Sequence, residues 1–120
     1  MRYLQVRGIY HWRNSVGSVQ IRPGQWYRFG KIGSSDILGL LPGGRFLAVE
    51  CKAQNGRLSP EQKQFLAEIR DLGGLAVVAK SWTDIDRALR EGGYVSDGPL
   101  FEAPDSPGRN RYPIVKQGER

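Results

Sequence analysis

The 120 residues of this chain have the length of a single domain with its own hydrophobic core. One cysteine, Cys51, cannot form an internal disulfide, and one histidine, His11, leaves no Cys/His cluster for zinc and argues against a Ser-His-Asp triad. The formal net charge of +6 favours polyanionic partners without identifying one.

Membrane and nucleotide-triphosphate functions find no support in the sequence. No apolar stretch approaches the length of a transmembrane helix, and no signal peptide is visible. No Walker-type phosphate loop is present, so we expect no nucleotide cofactor. We expect a cytoplasmic protein.

The first part of the chain predicts short strands. Met1–Gly8 lacks the helical period and contains no acidic residue. Two aromatic segments of β character follow, Ile9–Arg13 and Trp26–Phe29. Between them, Val19–Ile21 has the composition of a short extra strand, and Pro23-Gly24 is typical of a loop. We therefore expect a hairpin in this region.

Two neighbouring strands are predicted next, over Asp36–Leu41 and Phe46–Ala53. Pro42-Gly43-Gly44 between them is a hairpin signal. The second strand begins with a continuous apolar run, which is typical of a buried central strand. Gln54–Arg57 then predicts a loop.

A well-marked helix follows this loop. Ser59 is the predicted N-cap, Pro60 the first helical position and Gln62 the third residue of a capping box. Gly73-Gly74 is predicted to end the helix. Four apolar side chains recur at helical spacing and are predicted to be core: Phe65, Leu66, Ile69 and Leu72.

A buried strand and a second helix complete the predicted elements. Leu75–Ala79 is expected to run parallel to Phe46–Ala53 through a right-handed crossover. The second helix is expected to begin at Ser81, with Asp84 as the reciprocal cap. Its predicted inward side chains are Ile85, Ala88 and Leu89.

The C-terminal segment has a different composition. Residues 92–120 are rich in Pro, Gly, Asp and Ser without a period, so we expect an irregular tail after a domain over residues 1–91. Within the tail, Tyr112–Val115 has the composition to dock on a sheet edge or on a neighbouring subunit.

The segment Glu50-Cys51-Lys52, at the end of a predicted buried strand, is the strongest chemical signal. Side chains of a strand alternate faces, so Glu50 and Lys52 point the same way, while Asp36 opens the neighbouring strand. Two carboxylates converging at the end of a sheet suit Mg²⁺ or Mn²⁺, and a nearby lysine can hold a water and offset charge on a phosphate. The alternative is a solvated Glu-Lys pair on an exposed face. Spacing alone leaves both interpretations open.

Several motifs, in the same order, resemble those of the VRR-NUC domain, the virus-type replication-repair nuclease branch of the PD-(D/E)xK superfamily. They cover about residues 10–90. They are Arg13-Asn14-x-x-Gly17, Arg28-Phe29-Gly30, Gly33-Ser34-Ser35-Asp36-Ile37, Glu50-Cys51-Lys52, Gly56-Arg57-Leu58-Ser59-x-x-Gln62-x-x-Phe65 and Gly73-Gly74. The resemblance implies an α/β fold, a restriction-endonuclease-like mixed β-sheet flanked by helices in a single small domain.

The resemblance also implies a reaction and the residues that perform it. Asp36 and Glu50 are implied metal ligands for Mg²⁺ or Mn²⁺, and the carbonyl of Cys51 is implied to complete the metal shell. Lys52 is the implied catalytic lysine, and Gln62 is implied to lie close to the site. The implied reaction is metal-dependent hydrolysis of phosphodiester bonds in DNA.

Members of this family include stand-alone phage and bacterial proteins that act as homodimers on structured DNA, four-way junctions among them. The resemblance therefore implies branched DNA as substrate and a second copy of the chain as partner. Candidate phosphate contacts, expected on loops that flank the carboxylates, are Arg13, Arg28, Lys31, Ser34, Ser35 and Arg57. Each of them is equally consistent with an ordinary surface group, and we expect no sequence specificity.

The chain departs from the family pattern in two places. Ser35 replaces the proline of the superfamily's name. The family's domain begins with a helix that carries a metal-site glutamate, whereas no acidic residue precedes Asp36 here. Three explanations are open: the natural start lies upstream, the ligand comes from elsewhere, or the site is weakened. Glu61 and Glu68 of the following helix are better explained as solvated residues than as substitute ligands.

Two functions from other classes compete with a nuclease. A DNA-binding module, non-catalytic or truncated, would keep the fold and lack a third carboxylate near Asp36 and Glu50. A phage structural or assembly subunit would leave Asp36, Glu50 and Lys52 pointing apart.

Overall fold

The structure is a computed structural model that describes residues 2–96. In chain order its elements are α1 (Arg2–Val6), β1 (Tyr10–Arg13), β2 (Gly17–Arg22), β3 (Gln25–Phe29), β4 (Ile37–Leu41), β5 (Arg45–Cys51), α2 (Pro60–Asp71), β6 (Leu75–Ala79) and α3 (Trp82–Glu91). No helix in this range is both long and apolar enough to cross a membrane. The predicted contact of Tyr112–Val115 lies outside the described residues.

Four of the strands form a mixed sheet in the order β1-β4-β5-β6. β1, β4 and β5 are antiparallel neighbours, whereas β6 runs parallel to β5. The predicted β4–β5 hairpin and the predicted parallel strand are both confirmed. The expected α/β architecture, a mixed sheet flanked by helices, is therefore present.

The β4–β5 hairpin fixes the place where the chemical residues meet. Its turn contains Gly43 and Gly44 with φ of +85° and +81°, a backbone conformation that favours glycine. The register pairs Leu41 with Arg45 beside the turn and Ile37 with Val49 at the far end. Asp36 and Glu50 therefore lie just beyond the last regular pair, at the end opposite the turn.

Strand alternation builds one core on each face of the sheet. On one face, Leu47 and Val49 of β5 pack with α1 and α3. On the other face, Ala48 packs with Phe65 and Leu66 of α2. Because Glu50 follows Ala48 by two residues, its side chain lies on the α2 face.

Helix α2 begins with the predicted capping box. The hydroxyl of Ser59 accepts a hydrogen bond from the backbone N–H of Gln62 at 3.1 Å, and Oε1 of Gln62 accepts one from the backbone N–H of Ser59 at 2.9 Å. The helix ends at Asp71 ahead of Gly73, whose φ is +92°. The predicted core position of Leu72 is wrong: this residue is the C-cap and is 87% exposed, because the chain leaves the helical path there.

The N-terminal segment differs from the expectation, since Arg2–Val6 form a short helix. Its two buried side chains, Tyr3 and Leu4, are adjacent, so five residues show no helical period. The hydroxyl of Tyr3 donates a 2.6 Å hydrogen bond to Asp86 of α3, and its ring stacks on Trp82 with 5.7 Å between centroids. Such a short helix is stabilised by tertiary packing more than by intrinsic propensity.

Helix α3 follows Ser81 as predicted, and the Asp84 half of its predicted cap is present. The side chain of Ser81 makes no capping hydrogen bond to the helix. The carboxylate of Asp84 accepts a 2.9 Å hydrogen bond from the backbone N–H of Lys80 and a further one from the backbone N–H of Ser81. The predicted inward side chains Ile85 and Leu89 are fully buried.

Strands β2 and β3 form a two-stranded hairpin outside the main sheet, within the region where a hairpin was predicted, whereas the first aromatic strand, β1, pairs with β4. Both strands are exposed along nearly their whole length. Val19 pairs with Tyr27, and Gly17 pairs with Phe29. The side chains of Val19, Tyr27 and Phe29 therefore share one face of the hairpin.

Candidate active site

At the open end of the β4–β5 hairpin, two carboxylates replace backbone carbonyls as hydrogen-bond acceptors. Beyond the last pair, Ile37 and Val49, the backbone N–H of Asp36 donates to Oε2 of Glu50 at 3.1 Å. The backbone N–H of Cys51 donates to Oδ2 of Asp36 at 2.9 Å. Each carboxylate is thereby fixed against the backbone of the neighbouring strand.

Glu50 is 2% exposed and is surrounded by hydrogen-bond donors. Its Oε1 accepts a 2.5 Å hydrogen bond from Nε2 of Gln62 and lies 3.6 Å from Nζ of Lys52. Burial, followed by the negative charge of Asp36, raises the pKa of Glu50 above its usual value, although the N–H of Asp36 and the charge of Lys52 offset part of the effect. A buried carboxylate beside a second carboxylate is an environment that a cation would stabilise.

Lys52 lies one residue past β5 and still pairs with β6. Its backbone N–H donates to the carbonyl oxygen of Ala79 at 2.9 Å, which keeps its side chain on the same face as Glu50. The side chain is 20% exposed, so the ammonium group reaches both Glu50 and solvent. The structure thus brings together the four side chains expected at one site: Asp36, Glu50, Lys52 and Gln62.

The donor atoms present fit a hard divalent cation. Mg²⁺ in particular is commonly held by one or two carboxylates, with waters and substrate phosphates completing its shell. Asp36 and Glu50 supply the carboxylates, and Cys51, whose carbonyl is the expected further ligand, is tied to Asp36 through its N–H. Partial burial and the charges of Asp36 and Glu50 raise the pKa of the Cys51 thiol, and strand alternation places its sulfur on the face opposite Glu50 and Lys52.

A third acidic ligand does not join the pair within residues 2–96. No group of three or more His, Cys, Asp or Glu side chains in that range is arranged to hold a metal ion. Glu61 is exposed in the first turn of α2, and Glu68 accepts a 3.1 Å hydrogen bond from Gln64 on the helix surface. Both therefore have the solvated positions that were expected for them.

Asn14, which sequence reasoning did not assign to the site, organises the loop before Asp36. Its backbone N–H donates to the carbonyl of Asp36 at 2.7 Å. Its Nδ2 donates to Oγ of Ser34 at 2.7 Å and to the carbonyl of Ser35 at 2.9 Å. The hydroxyl of Ser34 donates in turn to the carbonyl of Lys31 at 2.6 Å. The only sequence signal for Asn14 was its place in a motif directly after an aromatic strand.

The same loop also contacts the start of α2. Gly33 has a φ of +83°, and a Cβ at this position would lie 2.5 Å from the carbonyl oxygen of Glu61. Only glycine allows this close approach in this conformation. Since Glu61 precedes Gln62, the loop that leads to Asp36 packs directly against the turn that carries Gln62.

The candidate DNA contacts are not all on loops, contrary to the expectation. Lys31 and Arg57 are exposed loop residues. Arg13 is instead the last residue of β1, and Arg28 lies within β3 of the separate hairpin. Both arginines are exposed and stay candidates for phosphate contacts; Arg13, paired with Ile37, lies at the expected end of the sheet, whereas Arg28 lies outside the main sheet.

The two serine candidates are less accessible than expected. Ser35 is 1% exposed, and its Oγ has no hydrogen-bond partner among the described residues. Ser35 directly precedes Asp36, so its side chain points to the opposite face of the sheet. It is therefore not on the surface that DNA would contact. The Ser34 hydroxyl is half-buried and already bonded to Asn14 and Lys31.

Comparison with known protein families identifies the family of this chain. A family model described as the VRR-NUC domain matches residues 5–82. Of the described part of the chain, this region contains all six strands, α2 and the four converging side chains. A comparison with curated proteins found no match. A VRR-NUC domain implies a nuclease-type function with DNA as substrate. Because the match spans well over half of the 120 residues, the chain belongs to the VRR-NUC domain family.

Proposed function

We propose that this protein is a metal-dependent endonuclease that hydrolyses phosphodiester bonds in DNA. The observation that carries the proposal is the convergence of Asp36, Glu50 and Lys52, with Nζ of Lys52 3.6 Å from the buried carboxylate of Glu50. Charged groups at the end of a buried strand are costly unless they are paired or bind a ligand. A structural or assembly subunit would have no need for these three side chains to converge.

Each converging residue has a role in the proposed hydrolysis. Asp36 and Glu50, with the carbonyl of Cys51, would hold Mg²⁺ or Mn²⁺. The cation, when bound, supplies Lewis-acid polarisation of the scissile phosphate. The ammonium group of Lys52 orients the attacking water and offsets the negative charge that develops on the phosphate oxygens. Gln62 holds the carboxylate of Glu50 in a fixed direction.

Branched DNA is the proposed preferred substrate, with four-way junctions as the type tested first. The support is the resemblance of the motifs to those of stand-alone family members that act on junctions. The exposed basic side chains Arg13, Lys31 and Arg57 and the net charge of +6 suit contacts to phosphates, which carry no sequence information. Recognition would therefore depend on the shape of the DNA.

A homodimer is the proposed assembly, because one active site cannot cut two strands symmetrically whereas a two-fold dimer can. The face of the β2–β3 hairpin formed by Val19, Tyr27 and Phe29 is the proposed contact. These side chains are 39–56% exposed, and a two-stranded hairpin alone is marginally stable in water. The pairs Gly17–Phe29 and Val19–Tyr27 of this face carry no charge, and Arg22, paired with Gln25, lies at its turn end.

The experiment that tests the proposed function compares a labelled four-way junction with a linear duplex of the same sequence, in Mn²⁺, in Mg²⁺ and in EDTA. We expect cutting with a divalent cation, none in EDTA, and faster cutting of the junction. Equal rates of cutting of the junction and the linear duplex would contradict the proposed junction preference. No cutting of either DNA in both cations would overturn the nuclease.

One observation favours a second candidate, a DNA-binding module that does not cut. Within the described part of the chain, no third acid joins Asp36 and Glu50. Such a module would bind junctions through the same basic side chains. Junction binding that is unchanged by EDTA, together with no product in Mn²⁺ or Mg²⁺, would support it.

A further inference from the structure

The side-chain amide of Asn14 closes the loop that leads to Asp36. Its two N–H groups donate to Oγ of Ser34 and to the carbonyl of Ser35, at 2.7 and 2.9 Å. Oγ of Ser34 and the backbone N–H of Ser34 both donate to the carbonyl of Lys31, at 2.6 and 3.0 Å. One amide therefore anchors the whole turn from Lys31 to Ser35.

Asn14 also holds the backbone of Asp36 itself. Beyond the last β1–β4 pair, Arg13 with Ile37, the N–H of Asn14 donates to the carbonyl of Asp36 at 2.7 Å. The N–H of Asp36 is bound on its other side by Glu50. The peptide groups around Asp36 are thus fixed from both neighbouring strands, and this sets the direction of its Cα–Cβ bond.

The side chain of Asp36 has fewer supports than that of Glu50. Glu50 is buried and is held by Gln62, Lys52 and the N–H of Asp36. Asp36 is exposed; the N–H of Cys51 donates to its carboxylate, and a side-chain hydrogen bond links it to the carboxyl group of Glu50. Its orientation therefore depends on how firmly its backbone is held.

We propose that Asn14 is a positioning residue for Asp36, and that its amide hydrogen bonds set the affinity of the site for a divalent cation. The inference rests on the proposed function, because it assigns Asn14 to the same metal site. Groups that orient metal ligands from outside the coordination shell commonly change metal affinity 10- to 100-fold when they are removed. A residue that only fastens a loop would change the stability of the fold and leave the metal affinity unchanged.

The experiment is calorimetric titration of Mn²⁺ into the protein without DNA, for wild type, Asn14→Ala, Asn14→Ser and Gln5→Ala. We expect a dissociation constant about 10- to 100-fold higher for Asn14→Ala. The dissociation constant of Asn14→Ser should lie between those of wild type and Asn14→Ala, since a hydroxyl can restore one of the two donated hydrogen bonds. Gln5→Ala removes the same amide group from the exposed side of α1 and should bind like wild type.

A second readout separates positioning from catalysis. Excess Mn²⁺ should restore DNA cutting by Asn14→Ala and should not restore it in Lys52→Ala. A folded Asn14→Ala with wild-type affinity for Mn²⁺ would overturn the inference. If Asn14→Ala does not fold, Ser34→Ala removes one of the acceptors of Asn14, and wild-type affinity in that variant would overturn it equally.

The failure of this inference differs from the failure of the proposed function. A wild-type protein that binds no Mn²⁺ would overturn both, since there would be no metal site for Asn14 to support. A wild-type protein that binds Mn²⁺ without cutting DNA would overturn the nuclease alone. The Mn²⁺ affinities of the variants would then still decide the role of Asn14.

Discussion

Gln62 donates a 2.5 Å hydrogen bond from Nε2 to the buried carboxylate of Glu50, while Oε1 of the same amide caps its own helix at the backbone N–H of Ser59. One side chain therefore links the first turn of α2 to the centre of the candidate site. The start of the helix and the direction of the Glu50 carboxylate cannot change independently.

The double role of Gln62 predicts a combined loss in Gln62→Ala. The variant leaves the N–H of Ser59 without its cap and removes a donor from a buried carboxylate, so we expect the free energy of unfolding to fall by about 1–2 kcal/mol and cutting to slow. Gln64→Ala, two residues further along the helix, removes an amide from an exposed position and should change stability by less than about 0.5 kcal/mol. Urea unfolding of both variants is the measurement, and equal losses would contradict the linkage.

The close contact between Gly33 and α2 predicts a large cost for Gly33→Ala. A Cβ there would lie 2.5 Å from the carbonyl oxygen of Glu61, so the helix start must move. Gly43→Ala is the matched control, because Gly43 has nearly the same φ, +85° against +83°, and no atom within 4 Å of the added Cβ. Both variants suffer the backbone strain, and only Gly33→Ala suffers the steric contact, which should add about 1–3 kcal/mol. Chemical unfolding that shows the same loss in both variants would be inconsistent with this packing.

The pKa of Glu50 predicts how pH changes the stability of the metal-free protein. Burial, followed by the charge of Asp36, raises this pKa above the usual value of 4.5, so the folded state holds the Glu50 proton more tightly than the unfolded state. The resulting stabilisation is fully present below about pH 4.5 and is lost as the pH rises through the raised pKa. Relative to Glu50→Gln, the free energy of unfolding of wild type in EDTA should therefore decrease from pH 4.5 toward neutrality.

At neutral pH, a bound divalent metal ion should reverse the loss of stability expected for the metal-free protein. A cation that binds only the folded state at 100 times its dissociation constant adds about 2.7 kcal/mol of stability, so Mn²⁺ should stabilise wild type and have little effect on Glu50→Gln. Urea unfolding with and without Mn²⁺ at pH 7 measures this difference. Parallel pH profiles of the free energy of unfolding for wild type and Glu50→Gln in EDTA would contradict the raised pKa of Glu50.

The proposed dimer contact predicts opposite results for two neighbouring residues of β2. Val19 lies on the face of the hairpin that carries Tyr27 and Phe29, and Gln20, paired with Trp26, lies on the other face. Val19→Glu should give a monomer, because it places a buried charge in the contact, whereas Gln20→Glu, which introduces the same charge, should stay dimeric. Sedimentation equilibrium measures the mass of each. A monomeric wild type would contradict the proposed homodimer. A dimeric Val19→Glu variant would show that the contact lies elsewhere.

Local patterns predicted the parts of the site that depend on neighbours in sequence. Period-2 alternation placed Glu50 and Lys52 on one face, and the capping box placed Gln62 in the first turn of α2. The hairpin signal at Pro42-Gly43-Gly44 then brought Asp36 to the same end of the sheet. These relationships follow from backbone geometry, so a single sequence contains enough information for them.

Relationships between distant segments were not predictable in this way. Asn14 acts on residues about 20 positions away, and an asparagine after a strand has many ordinary uses in turns. The helix at Arg2–Val6 is stabilised by contacts of Tyr3 with Asp86, 83 positions along the chain. The burial of Ser35 likewise depends on which face of the assembled sheet it occupies.

The most direct test of the central claim is single-turnover cutting of a four-way junction in Mn²⁺ at saturating protein, for wild type, Lys52→Ala and Lys63→Ala. Lys63 lies exposed on α2. Lys63→Ala removes the same charge as Lys52→Ala and therefore serves as the control. We expect wild type and Lys63→Ala to cut at similar rates, and Lys52→Ala to cut at least about 100-fold more slowly, because a donor to the developing phosphate charge is gone. Wild-type cutting by Lys52→Ala would contradict the assignment of this site as the active centre.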